Sequence, residues 1–209
     1  MDSGAAQQVA MFEGWVRGEW GSQAEPYGVR EWFNPAGSAV GQEVLAAIER
    51  HIQPGAAVLE IGPGGGRWTR FLVQRQLDSL YLIDGTDAGF GVLAQVIGRA
   101  PVCGMWVSPD GRIPWLQDEE LDAVFSFDTF VHFGAELRQA YVAEIGRVLR
   151  PGGVALLHWA RPTDTPGSGF VPVPITEEVG YYETVGALVE VYDVPIGPPA
   201  RFAVLRKAD

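Results

Sequence analysis

Apolar residues along this chain recur with two alternating periods. From Ser38 to His51, Val40, Val44, Leu45 and Ile48 fall on one face of a helix that Ser38 caps and Pro54-Gly55 ends. Ala57–Ile61 is a short apolar run followed by a glycine cluster, which reads as a buried strand. The spacing then predicts a helix over Arg67–Gln76, a strand over Leu80–Ile83 ending in Asp84, and a helix over Ala88–Gly98. Val102–Val107 follows as a strand, and a loop rich in proline, glycine and acids runs to Glu120. Leu121–Ser126 is the next strand, and Ala135–Leu149 the next helix, with Leu137, Tyr141, Ile145 and Val148 at helical spacing. Pro151-Gly152-Gly153 stops that helix, and Val154–His158 is a continuous apolar strand. After a Pro/Gly-rich loop over Arg161–Pro174 come a short helix near Thr176–Thr184 and two strands, Leu188–Val194 and Phe202–Leu205. The first fifty residues show no strand-like alternation, and a helical piece is expected over Ala6–Arg17.

Strands alternating with helices in this way predict an α/β fold with a mostly parallel, seven-stranded sheet covered on both faces. Pro195–Pro199 is the whole connection between the last two strands, too short for a crossover helix, so these strands should pair antiparallel. No linker or internal repeat divides the chain, and a single domain over 1–209 is expected, with 1–37 as an N-terminal helical cap and 38–209 as the core.

Composition narrows the classes of function. At 47% hydrophobic and 20% charged residues the 209-residue chain has an ordinary globular make-up. No apolar run reaches the ~20 residues of a membrane span, and the N-terminus carries no basic region of a signal peptide. Cys103 is the only cysteine, so no intrachain disulfide forms and a cytoplasmic location is expected. The net charge of −11, with Lys207 the sole lysine, argues against a nucleic-acid partner. Of seven tryptophans, Trp15, Trp20 and Trp32 fall in the first forty residues, either anchoring helices to the core or lining an aromatic cap.

In an open α/β sheet, ligands bind beyond the carboxyl ends of the strands at the point where strand order reverses. That directs attention to the loop Glu60-Ile61-Gly62-Pro63-Gly64-Gly65-Gly66-Arg67-Trp68-Thr69. Its glycines let the backbone turn sharply and approach a ligand closely. A dinucleotide loop needs G-x-G-x-x-G, and counting from Gly62 this places Arg67 where the third glycine belongs. The loop reads E-x-G-x-G-x-G instead and resembles motif I of the class I S-adenosylmethionine-dependent methyltransferases. Leu121–Phe133 (LDAVFSFDTFVHF) resembles motif IV of that family, and Arg147–Gly153 the segment leading into its fifth strand. The resemblance covers about Val40 to Ala160, and more weakly Trp15–Trp32, which is similar to the Trp-rich start of a bacterial subset.

What the resemblance implies is a Rossmann-like fold and S-adenosylmethionine as cofactor. It implies cofactor contacts from Glu60, Gly62, Pro63, Gly64, Gly66 and Trp68 in the loop. Asp84, followed by Gly85, takes the place of the acid that holds both ribose hydroxyls, a task suited to a carboxylate because it accepts two hydrogen bonds. Ser108-Pro109-Asp110-Gly111 is similar to the adenine loop, with Asp110 toward the exocyclic amine and Gly111 beside it, and Phe127 of motif IV completes the cofactor set.

Methyl transfer from a sulfonium is a direct displacement that depends on alignment, and a hydroxyl acceptor also needs a base titrating near neutral pH. Of three histidines, His51 closes an early helix and should face solvent, whereas His132 and His158 follow core strands. Asp128 precedes His132 by four residues, so a helical turn would put the two on one side. In one arrangement Asp128 orients His132 and His158 is the base; in the other the histidines exchange roles. No metal is expected. The expected activity is transfer of a methyl group to a small-molecule acceptor, foremost a hydroxyl, by a monomer or homodimer. The alternatives are N- or C-methylation of a small metabolite, a non-catalytic S-adenosylmethionine-binding protein, and a nucleotide-dependent oxidoreductase, against which the misplaced glycine argues.

Overall fold

Strands that are apolar on both sides need cover on both sides, and this chain supplies it with helices. The computed structural model describes residues 10, 37–161, 170–194 and 200–209. Its helices are α1 (Ala39–His51), α2 (Thr69–Leu72), α3 (Phe90–Ile97), α4 (Ala135–Val148) and α5 (Ile175–Val185). Its strands are β1 (Ala57–Ile61), β2 (Ser79–Asp84), β3 (Val102–Val107), β4 (Leu121–Ser126), β5 (Leu149–Trp159), β6 (Ala187–Val194) and β7 (Ala200–Arg206).

The seven strands form one sheet in the order β3-β2-β1-β4-β5-β7-β6. β1 pairs in parallel with β2 on one side and with β4 on the other. Chain order therefore reverses at β1, and the carboxyl ends of β1 and β4 diverge over a crevice. β7 runs antiparallel to β5 and to β6, as the short connection requires.

Alternate residues of each strand serve opposite layers. Val58, Leu80, Leu82 and Phe125 pack with Val44 and Ile48 of α1, Leu72 of α2 and Leu93 of α3. Leu59, Ile61 and Val124 face the other way, against Tyr141, Ile145 and Val148 of α4 and Tyr181 and Val185 of α5. Arg138 ties α4 to α5: buried, it donates to the carbonyls of Phe133 (2.7 Å) and Val171 (3.0 Å) and pairs with Glu177.

The sequence pattern and the structure differ in three places. The helix expected over Arg67–Gln76 is one α-turn, Thr69–Leu72, that tightens into a 3-10 turn at Val73–Arg75. Its first residues belong to the glycine loop, and Arg75 is drawn to the carbonyls of Glu49 and Ile52 at the end of α1. β5 begins at Leu149 rather than Val154, because Leu121 of β4 already pairs with Leu149 before the register shifts. His51 does not face solvent. β6 crosses the end of α1, and Glu190 there accepts from Arg50, Tyr192 and His51, the last at 2.8 Å.

The expected helix over Ala6–Arg17, the Trp15–Trp32 segment, the Pro195–Pro199 connection and most of the Arg161–Pro174 loop lie outside the described residues. Among the described residues no helix is long and apolar enough to cross a membrane.

The Ser38 hydroxyl accepts from the Gly41 N–H at 2.9 Å, satisfying one free donor of the first turn of α1. Ser38→Ala is expected to cost about 1 kcal/mol, read as a lowered urea midpoint at unchanged slope.

Candidate active site

β1 delivers the chain to the crevice and the next residues must turn at once. Gly62 has φ 76°, and its N–H donates to the Ile83 carbonyl of β2 at 2.7 Å. A Cβ at Gly62 would run into the Thr129 side chain, so only glycine lets the loop pass this close to the end of β4. The loop closes with the Gly66 N–H on the Pro63 carbonyl at 2.8 Å. Gly66 has a different task, because a Cβ there would press on Leu93 and Val96 of α3 at 3.0–3.1 Å.

Over this loop lies a cleft walled by the ends of four neighbouring strands. Ile61 to Gly64, Arg67 and Trp68 form one wall, and Asp84 and Gly85 follow β2. Ser108 and Pro109 follow β3, and Phe127 to Thr129 follow β4. Phe133, Leu137 and Tyr141 close the far side. Tyr141 is fixed there by donating to the Ser108 carbonyl at 2.6 Å.

Two acids attend the loop. Burial pushes the Asp84 carboxyl up from its ordinary value, while backbone N–H groups of Gly64, Gly85 and Thr86 pull the other way. The Gly64 N–H reaches Asp84 Oδ2 at 3.1 Å. A carboxylate so held at the rim of a cleft is what recognition of a vicinal diol requires. Glu60 lies beneath the loop, fully buried, and accepts from the Thr69 hydroxyl at 2.6 Å. Desolvation raises its carboxyl from 4.5 to about 8 despite that bond.

A third carboxylate stands at the end of β4. Asp128 has φ 59°, a left-handed conformation uncommon outside glycine. Its Oδ2 is ion-paired with Arg67, and its Oδ1 lies 3.1 Å from Nδ1 of His158. Burial pushes the Asp128 carboxyl up, but the Arg67 guanidinium and the His158 ring outweigh it and hold it well below the ordinary carboxylate range. His158 is fully buried at the end of β5 and stacks on Phe127 with ring centroids 4.2 Å apart. Its Nε2 has no hydrogen-bond partner among the described residues.

The structure thus brings Gly62, Pro63, Gly64, Trp68, Asp84, Gly85 and Phe127 to one cleft, with Asp128 at its edge. Glu60 and Gly66 support the loop from below. Asp110 points away: its Oδ1 accepts from the Arg112 N–H at 3.2 Å, and the side chain is largely exposed. Gly111 packs on α4, where a Cβ would meet that of Ala140 at 2.9 Å. From that loop it is Ser108 and Pro109 that reach the cleft. The helical turn that would align Asp128 with His132 does not form. Asp128 is left-handed and a 3-10 turn starts only at Phe130, which leaves Asp128 on His158 while the buried His132 ring meets Phe170 edge-on at 5.3 Å. Arg67 is missed by a reading that uses it only as the residue breaking the dinucleotide pattern, although a cation one residue past a glycine loop is itself a signal. Tyr141 reads from its spacing as core and is both core and cleft wall. Among the described residues no group of three His, Cys, Asp or Glu side chains is placed to hold a metal ion.

The buried Glu60 carries a pH signature. It binds its proton more tightly folded (about 8) than unfolded (4.5), so this contribution to stability is complete below pH 4.5 and is lost as pH rises toward 8. The loss runs at up to ~1.4 kcal/mol per pH unit. Glu60→Gln is expected to flatten the fall in Tm between pH 6 and 8, and an unchanged slope in thermal unfolding would show that Glu60 is ionised when folded.

No curated protein sequence matches the chain. Among solved structures, the Burkholderia thailandensis 1,6-didemethyltoxoflavin N1-methyltransferase, with bound 1,6-didemethyltoxoflavin and S-adenosylhomocysteine, superposes with a TM-score of 0.70 at 18% identity, covering 100% of this chain and 92% of that one. Magnesium protoporphyrin IX methyltransferase from Synechocystis PCC 6803, with bound S-adenosylmethionine, gives 0.72 at 14% identity, covering 100% and 98%. The cyclase SpnF gives 0.73 at 11% identity, covering 98% and 97%. At these identities the likeness concerns the fold. Residues 59–157, which run from β1 into β5 and contain all of the cleft, match the methyltransferase domain family model. That domain, the reversed strand order and the glycine loop together support a class I S-adenosylmethionine-dependent methyltransferase.

Proposed function

We propose that this methyltransferase acts on a small-molecule acceptor and that the atom methylated is a hydroxyl oxygen. The observation that carries the reading is His158: a buried ring with one nitrogen on an ionised carboxylate and the other without a partner among the described residues, one layer behind the cleft. A buried imidazole nitrogen in that state is satisfied when a hydroxyl donates to it, and the same contact defines a general base. Small molecules are favoured over nucleic acid because a net charge of −11 repels polyanions.

The cleft fits S-adenosylmethionine on its own chemistry. Gly62, where a Cβ would strike Thr129, lets the loop run close along the cleft, Asp84 offers a carboxylate for the ribose diol, and Phe127, Phe133 and Leu137 offer apolar walls. The bound cofactor supplies an electrophilic methyl group on a sulfonium. The chain's residues do the rest. The glycine loop and Asp84 fix the ligand against the strand ends, so that the acceptor need only be aligned. Asp128 orients His158 through Nδ1, and Nε2 takes the acceptor proton.

A second reading rests on Asp128 itself. A carboxylate kept ionised at the cleft edge stabilises positive charge developing on a nitrogen nucleophile without removing a proton, and the Burkholderia neighbour is named as an N1-methyltransferase. Mass spectrometry and NMR of products from matched hydroxyl and amine acceptors separate the two.

Two mutants test the assignment. Asp84→Ala is expected to weaken S-adenosylhomocysteine binding about 10–100-fold by calorimetry, the worth of one to two hydrogen bonds to a charged group. With a hydroxyl acceptor, His158→Ala is expected to lower kcat about 10²–10⁴-fold and to leave S-adenosylhomocysteine binding unchanged. Full turnover by that mutant removes His158 as base.

A further inference from the structure

Arg67 is both part of the cleft wall and the ion-pair partner of Asp128. Its guanidinium and the His158 ring hold opposite oxygens of one carboxylate, that of Asp128. A fixed cation and a ring that is either neutral or charged therefore share a single anion.

The geometry first decides where the ring proton sits. His158 Nδ1 lies 3.1 Å from Asp128 Oδ1 and 3.2 Å from the Asp128 backbone nitrogen. It cannot donate to the carboxylate and accept from the amide at once. A hydrogen bond to an ionised acceptor is roughly twice as strong as one between neutral groups, so the carboxylate takes the proton. Nδ1 then carries hydrogen and Nε2 keeps its lone pair.

The second matter is charge. A buried carboxylate paired with imidazole alone favours the imidazolium, and an imidazolium is no base. Here the carboxylate is already neutralised by a cation that ring closure of a glycine loop holds in place. Protonating His158 would put two cations on one anion. The other surroundings of the ring are Phe127 in a stack, Phe170 edge-on at 6.3 Å with His132 beyond it, and Phe202 of β7 opposite in register. Glu60 interacts electrostatically with Arg67.

We propose that Arg67 is a positioning residue: by pairing with Asp128 it keeps the His158 ring neutral, with hydrogen on Nδ1 and the lone pair on Nε2. This rests on the reading of His158 as the base, but its test needs no acceptor. With only three histidines in the chain, ring nitrogen signals of the ¹⁵N-histidine-labelled full-length protein are assignable through His51→Gln and His132→Gln. At pH 7.5 the wild-type His158 ring is expected neutral with Nδ1 protonated. In Arg67→Gln the ring is expected to be doubly protonated at that pH, and Arg67→Lys is expected to restore the wild-type state. Amide spectra report whether each variant is folded. Should Arg67→Gln fail to fold, Asp128→Asn serves, with an expected loss of the Nδ1-protonated form.

A wild-type ring protonated on Nε2 overturns the proposal, and so does a ring state that a folded Arg67→Gln leaves unaltered. If the ring states are as expected but no hydroxyl acceptor is ever methylated, Arg67 keeps its role and the O-methylation reading fails. If hydroxyl methylation is lost in His158→Ala while Arg67→Gln leaves the ring unchanged, the base stands and the role of Arg67 fails.

Discussion

The Asp128 carboxylate is shared by two partners that come from distant parts of the chain, and the arrangement of the site follows from that sharing. Arg67 arrives on the loop after β1 and His158 at the end of β5, with β4 between them in the sheet. Asp128, left-handed just past β4, turns its side chain toward both. That conformation costs a non-glycine residue roughly 1–2 kcal/mol, and one ion pair plus one charge-assisted hydrogen bond in a buried setting offset it. Strain retained at a site this well supported is the pattern expected where the strained group has chemical work to do.

In the proposed reading the same sharing links the cofactor side to the acceptor side. Arg67 and Trp68 belong to the glycine loop, and Trp68 packs on Phe127, with ring centroids 4.9 Å apart, which in turn stacks on His158. A ligand that settles the loop therefore settles Arg67, and through Asp128 the ring. The route is a chain of packed rings and one carboxylate, short enough for each link to be removed singly.

The fold was legible because its signal is periodic. Apolar runs at Ala57–Ile61 and Leu121–Ser126 mark strands buried on both faces, and the Ala135–Leu149 spacing marks a helix with one buried face. Boundaries were less legible where tertiary bonds override local preference, as where Arg75 turns α2 into a 3-10 turn to reach the end of α1. That the glycine loop and Asp84 share one cleft was legible because strand order puts the ends of β1 and β2 side by side. The pairing of Asp128 was not. A four-residue spacing to His132 suggests a helical face, whereas the chosen partner lies thirty residues on and is brought near by strand pairing of β4 with β5. Asp110 shows the converse, since Pro-Asp-Gly is equally a turn signal, and in this chain its carboxylate serves the turn.

Fold alone does not choose between oxygen and nitrogen as the methylated atom, since one scaffold hosts many reactions and the site decides. What decides here is whether a proton must leave. A hydroxyl is a weak nucleophile until its proton is taken, so it needs a neutral base within reach. An amine with a free lone pair needs none and gains only from a nearby negative charge. Asp128 alone would suit the amine. An oriented imidazole behind Asp128, with one nitrogen unsatisfied among the described residues, adds nothing to amine methylation and costs about 1–3 kcal/mol as a buried polar group without a partner there. In the proposed reading a hydroxyl proton accounts for that cost, which is why oxygen is proposed as the methylated atom.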